Sequence, residues 1–385
     1  MTSRKILLLG GTGAMGFYLV PELLSVGFDV FVTTRSSECE SDNSRLRYIT
    51  VDAKDSVALP AVLSAVKPDA IVDFMSYGTS VFTDRCKQLL NGTGHYCFLS
   101  SYRVFADSSP DALTERSPRL LDVCGDKAYL ATDEYALAKA RQEDVLRACG
   151  RENWTILRPC ITYSRYRFQL GTLEANTICY RALQGLPVIM AREILARQTT
   201  MTWAGDVAKM IARLVLNEFA LGEDYNVVTA EHHSWAEVAD YYEKCIGLRI
   251  IQTDVNEYAK VVGAKYQIKY DRMFDRVMDN SKILAATGIK QSDIKPLRGG
   301  LEMELCEFQS APYFQYPNLG LNARMDRVTG THLSLAGQPL RTRIKYLKEK
   351  YGSPSWNERF RRFSGRWKRR LQSILSLMGI RKRNQ

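Results

Sequence analysis

The chain reads as an α/β protein: a doubly wound parallel sheet with a smaller C-terminal substrate lobe and a basic amphipathic helical tail. Three observations predict this. The apolar run Ile6–Leu9 breaks into Gly10, Gly11, Gly13 and Gly16, then into a helical repeat of Leu19, Val20, Leu23 and Leu24. Short segments rich in Val, Ile and aromatics alternate with helical patterns through the first half, the rhythm of βαβ units. The basic excess is confined to the last residues, from Gln338 onward.

No polar residue alternates with the leucines of Ile6–Leu9, as in a strand buried on both faces. A strand that turns into a helix on glycines exposes backbone N–H groups at the positive end of the helix dipole, where a pyrophosphate can sit. The expectation is a dinucleotide-binding, Rossmann-type turn. "DVFVTT", "LRYITVD", "DAIVDFM", "HYCFLSS" and "WTILRP" then read as strands. After Pro159 the rhythm loosens into helices: "EANTICYRALQ", "WAGDVAKMIARLVLN", "SWAEVADYYEKCIG" capped by Ser234, and "DNSKILAATGI" stopping at Gly288. The expected division is a dinucleotide-binding domain over 1–160, a mainly substrate-binding lobe over 161–335 that returns in part to the first, and an extension over 336–385. Ligands of open α/β sheets bind at the carboxyl ends of the strands, beneath such a lobe.

Apolar residues make up 45% of the 385, which argues against disorder as the global state. No stretch of about 18 apolar residues occurs, and the run before the glycines is too short for a signal peptide. The nine cysteines are scattered, odd in number and without Cys-x-x-Cys, as expected of reduced thiols in a cytoplasmic protein. The four histidines show no ligand spacing, so no metal is expected. From Gln338 to the end, fifteen Lys and Arg face only Glu349 and Glu358, a net of +13; the whole chain is +11, leaving about −2 on residues 1–337. A basic tail points to an anionic partner surface, not to specific nucleic-acid binding by the body.

Tyr135 and Lys139, in "TDEYALAKARQED", fall four apart on one helical face. A phenol with a pKa of about 10 is a poor acid–base group at neutral pH. A Lys ammonium one turn away stabilises the phenolate, so the pair can exchange a proton with a substrate oxygen. Ser100 and Ser101 end the strand of "FLSSYRVF", where a hydroxyl faces the cofactor cleft. A glycine turn after the first strand, a Ser after a later one and Tyr-x-x-x-Lys some thirty residues on form a joint pattern.

That pattern resembles the short-chain dehydrogenase/reductase superfamily, in its extended branch of NAD(P)-dependent nucleotide-sugar epimerases, dehydratases and reductases. The resemblance runs from about Lys5 to Gly300 through "GGTGAMG", "SSYRVF", "YALAK", "LRPCITY", "TTMTWAGDVAKMI" and "DNSKILAATGI". It implies Ser101, Tyr135 and Lys139 as the catalytic set. It implies cofactor contacts from Gly10, Thr12, Gly13, Ala14, Met15, Gly16, Asp52, Phe74, Met75 and Lys139, with Ser76 beside them. Tyr77, Tyr102, Tyr163 and Arg165 are the implied substrate contacts. The implied substrate is a nucleotide sugar, and a homodimer is compatible with the resemblance.

Departures from the family pattern narrow the reading. Its 4,6-dehydratases carry an acidic pair after the catalytic hydroxyl residue, where this chain has Tyr102 and Arg103, so dehydration is disfavoured. The Arg-Pro segment runs into "TYSRYRF", whose Arg165 and Arg167 either grip a diphosphate or are loop surface charges. The second strand ends in Thr34, Arg35, Ser36 and Ser37 without the acid that would hold NAD ribose hydroxyls; Arg35 favours NADP, although an Arg can also stack on adenine. The expected activity is hydride transfer at a sugar ring carbon, by an epimerase or else an NADPH-dependent keto-sugar reductase. A non-catalytic dinucleotide sensor or RNA binder is the third reading; such relatives generally lose the Tyr or the Lys, and both are present here.

In the tail, Trp356, Phe360, Phe363, Trp367, Leu371, Ile374 and Met378 recur at intervals of 4, 3, 4, 4, 3 and 4, flanked by Arg359, Arg361, Arg362, Arg366, Lys368, Arg369 and Arg370. A basic helix with tryptophans on one face fits a peripheral anchor on an anionic membrane; the alternative is a helix docked on the body or on a neighbouring subunit.

Overall fold

The computed structural model describes residues 3–107, 111–314 and 317–352. The tail stripe from Trp356 to Met378 lies outside the described residues. Seven parallel strands make the central sheet: β1 (Lys5–Leu9), β2 (Asp29–Thr34), β3 (Leu46–Thr50), β4 (Ala70–Asp73), β5 (His95–Leu99), β6 (Trp154–Pro159) and β7 (Glu223–Val227). Their order is β7-β6-β5-β4-β1-β2-β3, a doubly wound Rossmann-type sheet whose order reverses at β1. The crevice at that reversal lies outside the carboxyl ends of β1 and β4.

The unbroken apolar run of β1 follows from its central place. Ile6 and Leu8 point to one face, where they pack with Leu19 and Leu23 of α1 (Gly16–Val26). Leu7 and Leu9 point to the other, against Leu59 and Leu63 of α2 (Ala58–Val66) and Phe82 and Leu89 of α3 (Thr79–Asn91). All four β1 side chains are fully buried. Each such side chain contributes about 1.5–3 kcal/mol when removed from water.

α4 (Tyr135–Ala148) connects β5 to β6, and α5 (Ala204–Leu214) packs beside α1. The second lobe gathers α6 (Trp235–Ile246) and α7 (Leu297–Ser310) around Trp235, Tyr242, Phe168 and Phe308. Ser234 caps α6 in a reciprocal box with Glu237, and Gly288 ends the helix Ser281–Thr287 at φ +69°. Strand β7 is an addition to the elements expected from sequence. Its segment "EDYNV" opens on two acids because it is a sheet edge, exposed at Glu223, partly covered at Asp224 and buried from Tyr225 on. Two further helices, α8 (Leu319–Thr329) and α9 (Leu340–Tyr351), follow the lobe. No helix among the described residues is long and apolar enough to cross a membrane.

One buried group ties the edge strand's approach to the sheet. His95 of β5 accepts the Leu216 backbone N–H on Nδ1 at 3.0 Å, so its Nε2 carries the proton toward Thr155 Oγ1, 2.7 Å away. Burial pushes the imidazole pKa down to about 4 from 6.5. The unfolded chain therefore takes up this proton before the folded one does. Stability is fully present above pH 6.5 and is lost as pH falls through 4, by roughly 3 kcal/mol across the window. Urea titrations at pH 7 and pH 4.5 are expected to show that His95→Gln flattens this part of the acid loss.

Candidate active site

The site is assembled at the carboxyl edge of β1, β4 and β5. Gly10 follows β1 at φ +74°, and its N–H donates to Thr33 Oγ1 at 2.9 Å, which fixes the turn. Gly16 begins α1 so close to the turn that a methyl group there would stand 2.0 Å from the Gly11 carbonyl oxygen. Gly13, by contrast, faces open space. That open side lets a ligand approach the backbone closely, and the arrangement fits a dinucleotide pyrophosphate.

Phe74, Met75 and Ser76 follow β4, and Ser100 and Ser101 follow β5. Ser101 Oγ accepts the Arg103 N–H at 3.2 Å and caps the short turn Tyr102–Val104. α4 starts at Tyr135, with the Glu134 carboxylate accepting the Ala136 N–H at 2.8 Å. This start leaves Tyr135 39% exposed while Lys139, one turn on, is buried. Lys139 Nζ donates to the Leu99 carbonyl at 2.6 Å and lies 6.0 Å from the centre of the Tyr135 ring. Burial pulls the Lys139 pKa down to about 8, against the opposing pull of Asp73 and Glu143. Asp73, at the end of β4, is raised by its own burial while accepting from Tyr96 Oη at 2.8 Å, Tyr77 Oη and the Met75 N–H.

Ser101, Tyr135 and Lys139 border one cleft of about 380 Å³, together with Met15, Phe74, Met75, Ser76 and Tyr102. A second cavity of about 280 Å³ places Thr12, Gly13 and Ala14 opposite Arg165, Tyr166 and Arg167, and the two share Arg167 and Glu174. The structure thus brings most of the expected residues together. Three of the four expected substrate contacts do not line the first cleft. Tyr77 is buried with its hydroxyl on Asp73 and does not border the cleft. Tyr163 is buried against Gly300, also away from the cleft. Arg165 is spent on Glu304 and Glu307 and lies over the glycine turn. Tyr102 does border the cleft, but its hydroxyl donates to Asp271 and accepts from Arg272 at 2.8 Å. Arg35 is exposed after β2, and exposed Asp52 accepts the Lys54 N–H, closing the turn after β3.

Sequence reasoning missed the arginines that come from far along the chain. Asp271, fully buried, pairs with Arg272, with Arg276 at 3.1 Å and with Arg103 at 3.3 Å. Arg103 also reaches Glu134 at 2.6 Å and lies over the Tyr135 ring, 5.3 Å from its centre. Arg103 and Arg272 border the cleft. No motif or spacing marks Arg272, which sits in the irregular turn Ile268–Arg272.

Residues 6–85 match the model of the NAD dependent epimerase/dehydratase family. Solved structures share the fold over about 80% of the chain. A UDP-glucose 4-epimerase of Thermus thermophilus, in complex with NAD, is 19% identical, covers 80% of this chain and 100% of its own, and superposes with a TM-score of 0.60. The dTDP-glucose 4,6-dehydratase of Bacillus anthracis str. Ames, also with NAD, is 16% identical over 80% of this chain and 97% of its own, TM-score 0.62. The Bordetella bronchiseptica enzyme WbmH in complex with NAD+ is 14% identical over 81% and 100%, TM-score 0.60. No curated protein sequence matches the chain. The family model thus covers the glycine turn and strands β1 to β4 in sequence, and the likeness to solved structures shows the fold of sheet and lobe.

The cleft is held by a second buried carboxylate. Glu143, one turn beyond Lys139, accepts from Ser100 Oγ at 2.5 Å and from Arg158 Nε and Nη2 at 2.8 Å each. Burial alone would push its pKa up, but Arg158 and Ser100 hold it below the ordinary carboxylate range. Glu143→Ala leaves Arg158 with a buried, half-compensated charge and Ser100 without its acceptor. It is expected to cost about 3–5 kcal/mol in urea unfolding, whereas Asp122→Ala, on a half-exposed carboxylate paired with Arg119, should cost under about 1 kcal/mol.

Proposed function

We propose that the protein is an NAD(P)-dependent hydride-transfer enzyme acting on a sugar ring carbon of a nucleotide sugar, as an epimerase. The observation that carries this is the convergence of Ser101, Tyr135 and Lys139 on the cleft that also meets the residues following β4. When bound, a nicotinamide supplies hydride acceptance and return. Tyr135, half exposed at the helix start, exchanges the proton of the reacting oxygen. Lys139 stands behind it as a cation held by the Leu99 carbonyl. Ser101 Oγ, at the cleft wall, positions the same oxygen. A neutral Tyr102 and a cationic Arg103 stand where elimination would need acids, which disfavours dehydration. A keto-sugar reductase is the second reading, favoured by Arg35: the end of β2 offers a cation and two serines and no acid before Glu38, a set suited to a ribose phosphate and hence to NADP. The basic tail supports a peripheral position on an anionic membrane.

Tyr135→Phe keeps the ring and loses the proton-carrying hydroxyl, so turnover of nucleotide sugar is expected to fall below detection while dinucleotide binding, read by fluorescence titration, survives. Ser101→Ala should lose less, because one hydrogen bond can be replaced by water. Near-normal turnover in the Phe variant ends the enzymatic reading.

The cofactor preference has its own test. Arg35→Ala should weaken NADP by about 1.5–3 kcal/mol, the range for a hydrogen bond to a charged group, and leave NAD almost unchanged. Equal losses for both would mean that Arg35 stacks on the adenine.

A further inference from the structure

Helix α9 is amphipathic in the reverse sense. Its body-facing side is polar in its chemistry: Tyr346 and Lys350 are buried, with the Tyr346 hydroxyl donating to Asp326 and accepting the Leu333 N–H, and Lys350 Nζ reaching the Thr331 carbonyl. Arg327 of α8 closes the end of the helix, with Nε on the Lys350 carbonyl at 2.6 Å. Asp326 is itself anchored by the fully buried Arg181 at 2.7 Å. The opposite side carries Leu340, Ile344, Leu347 and Tyr351 at intervals of 4, 3 and 4, exposed by 73%, 44%, 40% and 69%. At 3.6 residues per turn these four form one stripe, with Arg343 on one flank and Arg341 on the other.

An apolar stripe of this kind, turned away from the body, is a contact surface for something else. Charge decides among the occupants. α9 carries Arg341, Arg343, Lys345, Lys348 and Lys350 against Glu349 alone. Residues 353–385 hold ten Lys and Arg against Glu358, so packing the tail on this face would bring like charges together, as would a second copy of the helix. Leucine, isoleucine and tyrosine flanked by arginines match the boundary between lipid headgroups and acyl chains. We infer that the outward face of α9 docks on an anionic lipid surface, with the stripe entering the interface and Arg341 and Arg343 meeting lipid phosphates. This rests on the peripheral-membrane reading of the tail and gives it a second, structured contact.

The test uses the full chain and sedimentation with vesicles of about 30% phosphatidylserine in phosphatidylcholine. Ile344→Ser with Leu347→Ser should weaken binding at least about tenfold with little change in melting temperature, since neither side chain belongs to a buried core cluster. Arg341→Gln with Arg343→Gln should weaken it at low salt and blunt its salt dependence. If the serine pair binds like the parent while Trp356→Ala with Trp367→Ala abolishes binding, the α9 face is overturned and the tail reading stands. If the parent ignores vesicles altogether, both fail, and turnover of nucleotide sugar then judges the catalytic reading separately. If instead the serine pair lowers the oligomeric state or the melting temperature, the stripe is a protein contact and the lipid assignment is overturned.

Discussion

The geometry of the proposed catalytic cleft depends on one buried ion pair. α4 carries Tyr135 and Lys139, and its apolar residues, such as Leu146, seat it against the sheet without fixing how its polar side meets the strand ends. Glu143 does: it stands one turn beyond Lys139 and binds Arg158 at the end of β6 and Ser100 at the end of β5. The helix is thereby pinned to the carboxyl edges of two neighbouring strands. Lys139 is carried to the Leu99 carbonyl and Tyr135 to the rim of the cleft. A buried ion pair is an uncertain source of net stability, but breaking one is costly, so it holds a geometry more reliably than it adds to folding. Arg158 also reaches Asp224 on β7 at 2.9 Å, which gives the edge strand its place in the same network.

The lobe is fixed by the same device. Glu304 on α7, fully buried, accepts from Tyr18 of α1, from Trp203 Nε1 at 2.6 Å and from the Arg165 backbone N–H at 2.8 Å. It joins the helix of the glycine turn to the loop that lies over it, and Tyr166 adds an edge contact to Phe17, 5.1 Å between ring centres. Around Asp271 the balance is different. Among the described residues the ion pairs of Arg103, Arg272 and Arg276 go to two carboxylates, Asp271 and Glu134, with backbone carbonyls taking further bonds from Arg272 and Arg276, and Arg103 and Arg272 border the cleft. Three buried cations sharing two carboxylates are, at some cost, less fully compensated than one-to-one pairs in low dielectric. An anionic ligand entering the cleft relieves that cost, which supports the proposed nucleotide diphosphate without choosing its sugar.

The sheet could be read from the sequence because its determinants are local. β1 is apolar throughout since it is central, β2 and β6 were bounded to the residue by their Val, Ile and aromatic content, and the caps at Ser234 and Gly288 are single-residue signals. The glycine turn and the Tyr135–Lys139 pair could be read for the same reason, being motifs within a few residues. What escaped depends on distant partners. β7 looks too acidic for a strand until Arg158 and Lys282 are known to face Asp224. Arg165 reads from sequence either as a grip for a diphosphate or as a loop surface charge, and neither reading names Glu304 of α7, some 140 residues on, as its partner. The resemblance alone carries Tyr77 and Tyr163 as substrate contacts, and it does not say which way such a side chain turns; here the Tyr77 hydroxyl meets Asp73 and the Tyr163 ring packs on Gly300. α9 went unread for a related reason. Its apolar residues do repeat at helical spacing, yet the usual inference from such a stripe is a face turned inward. The inward face is instead made of Tyr346 and Lys350, whose polar atoms find Asp326, Leu333 and Thr331 on the body. Periodicity locates a helix and its apolar side; only the polar partners across the interface say which side faces in.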